Sequence, residues 1–106
     1  MITIIKIIDK LHLVDVIQQE IKLKGTKCDL NHLDVSEITN MSDLFEGSKF
    51  TGDISGWNTS SFTDIGQLFE KSKFKGDISK LDAHNIKKID RMFWDCLAPV
   101  PHWAKY

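Results

Sequence analysis

A 24-residue repeat runs without gaps through the middle of this 106-residue chain. Leu33–Gly56 and Trp57–Lys80 are identical at 12 of their 24 positions, including the string Ser-Lys-Phe-x-Gly-Asp-Ile-Ser. A third copy begins at Leu81 and loses the pattern after Cys96. A period of this length is typical of stacked supersecondary units that bury their apolar faces on one another. The repeat therefore predicts a binding surface built by stacking rather than a catalytic pocket.

Two apolar patterns follow each other within each repeat. Leu30–Val35 and its equivalents end in the alternation of a β-strand. Ile38–Phe45 and its equivalents have the three- and four-residue spacing of a short helix, with Asn40 and Asp64 placed as N-caps. The sequence thus predicts an α/β solenoid of about three right-handed 24-residue coils, with parallel strands on one side and short helices on the other.

The segment before the repeat is suited to cap one end of the stack. Asp9 followed by Lys10–Lys24 predicts an N-capped amphipathic helix that stops at Gly25. The inner face of this helix is predicted to hold Leu11, Val14, Ile17 and Ile21. Ile2–Ile8 is strand-like, and a helix continuous from residue 2 is the open alternative.

These segments define the expected organisation of the chain. An N-terminal cap is expected over residues 1–27 and the solenoid over residues 28–96. Residues 97–106 contain two prolines and cannot continue the repeat, so we expect a C-terminal capping tail there.

Charge is distributed unevenly along a chain whose net charge is only −1. Cys28–Asp64 carries seven acids against Lys49 alone, whereas Lys71–Arg91 carries seven bases against three acids. The small net charge is not that of a nucleic-acid-binding protein, so direct nucleic-acid binding is not expected.

The two cysteines and the apolar segments indicate the cellular compartment of the protein. Cys28 and Cys96 have no zinc or redox spacing, and reduced thiols are typical of the cytosol. No secretory signal is recognisable, and no apolar run approaches the ~18 residues of a membrane span. We therefore expect a cytoplasmic protein, in a bacterium or in the host of a mobile element, without a cofactor or a metal.

The repeat also resembles a known family. Leu-x-x-Leu-x-Val, Ile-Thr-Asn-Met-Ser-Asp-Leu-Phe and Phe-x-Gly-Asp-Ile-Ser-x-Trp-x-Thr-Ser are similar to the bacterial surface-antigen (BspA-like) leucine-rich repeats. That group overlaps the mycoplasma-lipoprotein repeats of unknown function. The resemblance covers about Cys28–Cys96. It implies a curved leucine-rich-repeat solenoid that binds proteins, and it brings no catalytic residues.

Ten residues are candidates for contact with a partner. Six polar residues should line the open face of the predicted strands: His32, Asp34, Asn58, Lys80, Asp82 and His84. Glu37 and Asp43 add to the acidic half of the chain. Trp94 stands where the preceding repeats have Glu46 and Glu70, so the register predicts that it is exposed. Trp103 either covers Trp94 as part of a cap or extends an exposed aromatic patch.

Two chemical alternatives involve the same polar residues. Asp82 and His84 form a conceivable acid–base pair, but no nucleophile or phosphate loop accompanies them. Asp29, Asp53 and Asp77 stand at equivalent positions, yet a straight column of carboxylates does not converge as calcium requires. Turn hydrogen bonding explains these aspartates better.

The predicted function is a non-enzymatic protein–protein interaction module that acts by sterically occupying a partner's surface. The chain would be a monomer or would associate weakly through its ends. One alternative is a phage or mobile-element inhibitor of a host nucleoprotein complex, of the anti-CRISPR type, whose acidic surface mimics nucleic acid. The other is a hydrolase or metal-binding protein.

Overall fold

The N-terminal part of the chain folds as strand, helix and strand. The structure, a computed structural model, describes residues 3–76, 78–79 and 81–100. Strand β1 is Ile5–Lys6, helix α1 is Lys10–Lys24 and strand β2 is Leu33–Asp34. The two strands pair in parallel, so the chain needs a crossover between them, and α1 supplies it.

Helix α1 has a capping residue at each end, Asp9 before it and Gly25 after it. The Asp9 carboxylate accepts a 2.8 Å hydrogen bond from the backbone N–H of His12, and the Gly25 N–H donates to the Ile21 carbonyl. The predicted bounds of this helix are confirmed. Its predicted inner face is only partly right, because Leu13 and Ile17 are buried whereas Leu11 is 82% exposed.

The predicted α/β solenoid is wrong. In the described part of residues 28–96, β2 is the only strand and no helix is present. Isolated parallel bridges stand in place of the expected strands, as between Asp29 and Asp53. The body is compact, 38 × 25 × 22 Å, and its described residues form one helix, a two-stranded sheet and successive turns.

Left-handed residues explain why turns replace the expected helices. Asp43, Gln67 and Arg91, which are 24 residues apart, have φ angles of 54°, 58° and 56°. We call such a set of equivalent positions a column. A second column, formed by Gly47, Lys71 and Asp95, is left-handed as well. A right-handed helix cannot pass through such residues.

Four-residue β-turns, closed by bonds between residues three apart, replace the expected helical hydrogen bonds. The backbone N–H of Leu44 donates to the Met41 carbonyl, and the same bond recurs in the next two repeats. Asn40 and Asp64 are not helix N-caps, because their side chains accept hydrogen bonds from backbone N–H groups two residues later. Successive turns keep the apolar residues on one side, which is why the spacing imitated a helix.

Backbone hydrogen bonds join each repeat to the next in a regular way. Alternate N–H groups of the first repeat donate to carbonyls 23 residues later over 2.8–3.0 Å: those of Met41, Asp43, Phe45 and Gly47. The second repeat donates to the third in the same way, through the equivalent N–H groups of Ile65, Gln67, Phe69 and Lys71. We call each of these sets a donor row.

Stacked aromatic rings fill the space between the repeats. Phe45, Phe69 and Phe93 form one column, with ring centroids 5.8 and 6.0 Å apart. Trp57 is buried, and its indole N–H donates to the Leu30 carbonyl at 2.8 Å. These side chains are all buried, as expected of apolar positions that recur from one repeat to the next. With Phe93 turned into the core, the neighbouring Trp94 lies at the surface.

Candidate functional site

Trp94 lies at the surface of the third repeat, with two cations close to its ring. The side chain is 48% exposed. The guanidinium carbon of Arg91 lies 4.5 Å from the ring centroid, and the Lys71 ammonium lies 5.3 Å from it. Both distances are within the range in which an aromatic face attracts a cation. The indole is therefore held in place while much of its surface remains accessible.

A buried carboxylate fixes the position of Arg91. Glu70 is 2% exposed, and its Oε1 forms an ion pair with Nη2 of Arg91 at 2.5 Å. A buried carboxylate without a partner would be costly, so Glu70 depends on Arg91 for its charge to be offset. We call Glu70, Lys71, Arg91 and Trp94 the Trp94 cluster.

The surroundings of the cluster are basic and largely unpaired. Four exposed lysines take part in no ion pair within the described residues: Lys73, Lys75, Lys87 and Lys88. In the acidic half of the chain, two of the seven carboxylates are paired, because Lys6 lies 3.2 Å from Glu37 and Lys10 lies 3.3 Å from Asp43. The four lysines leave the third-repeat side with basic charge that the described ion pairs do not offset.

The predicted acidic contacts are engaged with their own chain. Besides Glu37 and Asp43, Asp34 lies in β2 and accepts a hydrogen bond from the backbone N–H of Ser36. The hydrogen bonds from Ser36 hold the pKa of the Asp34 carboxyl below its ordinary value. These three side chains do not gather into one site.

The predicted strand-face residues do not form a strip, because the part of the chain that the structure describes contains no extended sheet to carry them. Asn58 and Asp82 are exposed and accept hydrogen bonds from backbone N–H groups two residues later. His84 donates the bond to Asp82 through its backbone, so its imidazole takes no part in that contact. Lys80 and Trp103 lie outside the described residues, as does the predicted cover of Trp94 by the tail.

His32 belongs to a different group near α1. Its Nε2 lies 2.6 Å from Oε1 of Glu20, which also accepts a hydrogen bond from Lys24 at 3.0 Å. The Lys24 hydrogen bond is the main reason why the pKa of Glu20 lies below its ordinary value, with His32 contributing. The contact of Glu20 with His32 could not be predicted from the sequence, because only the fold brings α1 next to the segment before β2.

Replacing Glu20 by glutamine should lower stability at neutral pH by up to about 1 kcal/mol. Because the folded pKa is lowered, the carboxylate stabilises the fold above its unfolded value of about 4.3 and loses this effect as the pH falls through the folded value. Urea unfolding at pH 7 and pH 3 measures the difference.

Glu37→Gln is the matched control, since its pair with Lys6 is more than half exposed on both sides. Its removal should change stability little at either pH. An equal loss for Glu20→Gln at both pH values would show that the carboxylate charge is not responsible.

The remaining candidate chemistry is accounted for by turns and burial. Asp29 and Asp53 each accept a hydrogen bond from the backbone N–H two residues later, and Asp77 lies outside the described residues. Cys28 and Cys96 are free thiols. Burial raises the pKa of the Cys28 thiol, which favours its protonated form. No group of three potential metal ligands occurs within the described ranges.

The match to known proteins covers most of the chain. Residues 15–100 match a family described as Mycoplasma protein of unknown function, DUF285. The chain belongs to this family. The predicted similarity to mycoplasma repeats is therefore confirmed. No curated protein and no solved structure matches the chain.

Two expectations from the sequence, the leucine-rich repeat and the anti-CRISPR inhibitor, are corrected. The predicted leucine-rich-repeat fold is wrong, because the described repeats of this DUF285 member lack the strand-and-helix unit that such a fold requires. Neither the fold nor the DUF285 match supports an anti-CRISPR inhibitor. Within the part of the chain that the structure describes, no helix has the length and apolar character needed to cross a membrane.

Proposed function

We propose that this DUF285 member is a non-enzymatic protein-interaction module whose main contact is the Trp94 cluster. The supporting observation is the geometry of Trp94, which is half exposed and flanked by Arg91 and Lys71. Trp and Arg are enriched among the residues that dominate binding at protein interfaces. A side chain already held in position also loses less entropy on binding.

The chemistry around the cluster favours an acidic partner. Lys73 and Lys75 flank it on one side and Lys87 and Lys88 on the other in sequence, and none of the four has an ion pair among the described residues. Long-range attraction by such a surface speeds the encounter with an acidic protein, and Trp94 then supplies an apolar anchor. The module would act by covering the surface to which it binds.

This proposal includes two finer points. The resemblance to bacterial surface-antigen repeats would then extend to their protein-binding role, although not to a leucine-rich-repeat fold. A cytoplasmic location suits the two free thiols. Hydrolysis is not proposed, because the contact between Asp82 and His84 is a hydrogen bond that the His84 backbone N–H, and not its imidazole, donates to the Asp82 carboxylate.

Substitution by column equivalents tests the proposal without disturbing the fold. Trp94→Glu introduces the residue that the two earlier repeats carry at this position. Once a partner has been isolated from the native host, we expect this change to weaken binding by at least about 30-fold, as loss of an aromatic anchor does. Isothermal titration calorimetry with the purified partner gives the affinity.

Leu11→Glu is the matched control, since Leu11 is an exposed apolar residue on α1. It should leave the affinity unchanged. If Leu11→Glu weakens binding and Trp94→Glu does not, the contact lies on α1 and the proposal is wrong.

A further inference from the structure

Strand β1 pairs with β2 along one edge only. The N–H groups of Ile5 and Ile7 donate to carbonyls at and just before β2, over 2.9 and 3.0 Å. Across a trans peptide bond, the carbonyl of one residue and the N–H of the next point in opposite directions. The carbonyls of Ile4 and Lys6 therefore point away from β2. The Lys6 N–H points the same way, since backbone groups alternate between the two edges of a strand.

This second edge is open. The carbonyls of Ile4 and Lys6 and the Lys6 N–H have no hydrogen-bond partner within residues 3–76, 78–79 and 81–100. We call these three groups the β1 edge. Both residues are exposed at the surface, and the edge ends at Ile8, whose N–H donates to Nδ1 of His12. Open donors and acceptors along a strand edge are a template for the addition of another strand.

A cleft of about 590 Å³ opens where the β1 edge begins. The residues around it come from the start of β1, from α1 and from the segment before β2: Thr3, Ile4, Ile5, Glu20, Lys24, Asp29, Asn31 and His32. Selectivity for an added strand has to come from such neighbouring groups, because backbone hydrogen bonding needs no particular side-chain sequence.

The cleft offers two carboxylate oxygens to a cation. Lys24 and His32 both contact Oε1 of Glu20, and Oε2 of that carboxylate has no hydrogen bond to the described residues. Asp29 accepts the backbone N–H of Asn31 through Oδ1, and its Oδ2 likewise has no partner in the described ranges. Since Lys24 and His32 are held on Glu20, the charge of Asp29 is not offset by them.

The charge of the surrounding surface favours a basic occupant as well. Cys28–Asp64 carries seven acids against Lys49 alone, and two of the seven form ion pairs among the described residues. Lys6 does not counter this, because its ammonium lies 3.2 Å from Glu37. Such a surface attracts and orients a basic segment. Ile4, which is 62% exposed, adds an apolar contact beside the cleft.

A second copy of the chain fits this edge less well. Pairing of two β1 edges would be symmetric, so each copy would present the same surface to the other. The acidic half of one chain would then face the acidic half of the other, and like charges across an interface oppose association.

We infer that the β1 edge binds an extended basic segment of a partner protein by backbone hydrogen bonding, with a lysine or arginine side chain of that segment in the cleft beside Glu20 and Asp29. This contact is separate from the Trp94 cluster, which lies in the third repeat and favours an acidic partner. The module would then have two binding surfaces, each for a partner of opposite charge to the other.

Nuclear magnetic resonance of the full ¹⁵N-labelled chain tests the inference at single residues. The probe is the synthetic peptide acetyl-Lys-Val-Lys-Val-Lys-Val-amide. At nine-tenths saturation, hydrogen exchange of the Lys6 N–H should slow by about tenfold, because a tenth of the molecules keep an open edge. The Ile7 N–H, which is already bonded within the fold, should change by less than about twofold.

Two altered peptides separate backbone pairing from charge. Methylation of every backbone nitrogen removes the donors but keeps the charge, and it should weaken binding by at least about tenfold. Replacement of the three lysines by glutamate keeps the backbone but reverses the charge, and it should also weaken binding by at least about tenfold.

Asp29→Asn examines the cleft. Asparagine keeps a side-chain oxygen for the Asn31 N–H but has no charge, so affinity for the lysine peptide should fall by about fivefold. Asp64→Asn is the matched control, because Asp64 lies outside the cleft and Asn40 makes the same turn bond in the same column. Its affinity should change by less than about twofold.

Each alternative has its own result. Absence of binding, or equal binding of the lysine peptide and its methylated form, overturns the inference. Equal losses for Asp29→Asn and Asp64→Asn would mean general attraction and would remove the cleft from the site. Protection of the Lys6 N–H that rises with protein concentration alone, together with a larger species in size-exclusion chromatography, indicates a second copy instead.

The test is independent of the proposed function. Trp94→Glu should bind the lysine peptide as the parent chain does, because Trp94 is remote in sequence from β1 and does not line the cleft. A failure of the β1 edge to bind therefore leaves the Trp94 cluster untouched as a contact. If Trp94→Glu loses the lysine peptide, the peptide does not bind at the β1 edge and the inference is wrong.

Discussion

Phe69→Ala should destabilise the protein by about 3–5 kcal/mol. Phe69 is fully buried and stacks on Phe45, Phe74 and Phe93, with ring centroids 5.8, 4.5 and 6.0 Å away. Its loss leaves a cavity at the centre of the aromatic column, where all three repeats meet. For a domain whose total stability is about 5–15 kcal/mol, this is a large fraction.

Thermal melting followed by circular dichroism gives the measurement, with an expected fall of roughly 15 °C or more. Leu97→Ala is the control, because that side chain is 77% exposed and its truncation should cost less than about 0.5 kcal/mol. If the two variants melt together, the described packing of the aromatic column is incorrect.

Gly52→Ala is expected to be the second most damaging change. A Cβ atom at Gly52 would lie 1.8 Å from the Cys28 carbonyl oxygen and 2.7 Å from the Phe50 ring. The first contact is with backbone, so relief requires separating two neighbouring repeats and weakening the bond from the Asp53 N–H to the same carbonyl. Crowding of this kind costs about 1–3 kcal/mol and more where the backbone cannot move.

Gly47→Asn is the control for Gly52→Ala. A Cβ atom at Gly47 meets nothing within 4 Å, and Lys71 and Asp95 adopt the same left-handed conformation in its column. Asparagine tolerates that conformation, so urea denaturation should show little change. Similar losses at the two glycines would mean that backbone conformation, rather than contact with Cys28, limits the choice of residue.

Local signals made α1 predictable. Asp9 and Gly25 are capping residues at the correct separation, and both act as such. The inner face was harder to assign, because apolar residues are present on more than one side of the helix. Burial of Leu13 in place of Leu11 depends on where α1 meets the repeats, which local pattern does not encode.

The repeat was predictable in its period and its core but not in its secondary structure. Identity at a 24-residue spacing correctly indicated that Phe45 and Phe69 are equivalent and buried. Spacings of three and four residues are shared by a helix and by successive β-turns. The residues that decide between them, such as Gln67 and Arg91, are left-handed without being glycine or asparagine, so their type does not reveal their conformation.

The Trp94 cluster was only half visible in the sequence. Register placed Trp94 in a column of glutamates and so indicated exposure. The repeat could not show that Glu70 in the same column is buried and holds Arg91, since Glu46, its equivalent, is exposed. That difference arises because the third repeat supplies an arginine where the second has Gln67.

The donor rows also determine how this chain reaches its fold. Each of their hydrogen bonds closes a loop of 23 residues, and Asp43, Gln67 and Arg91 oppose their own local preference by about 1–2 kcal/mol each. A single repeat in isolation therefore has nothing to offset these costs, and only α1 can form from nearby contacts. Neighbouring repeats have to come together in one concerted step, so partly folded species should be scarce and folding slow for a chain of this size.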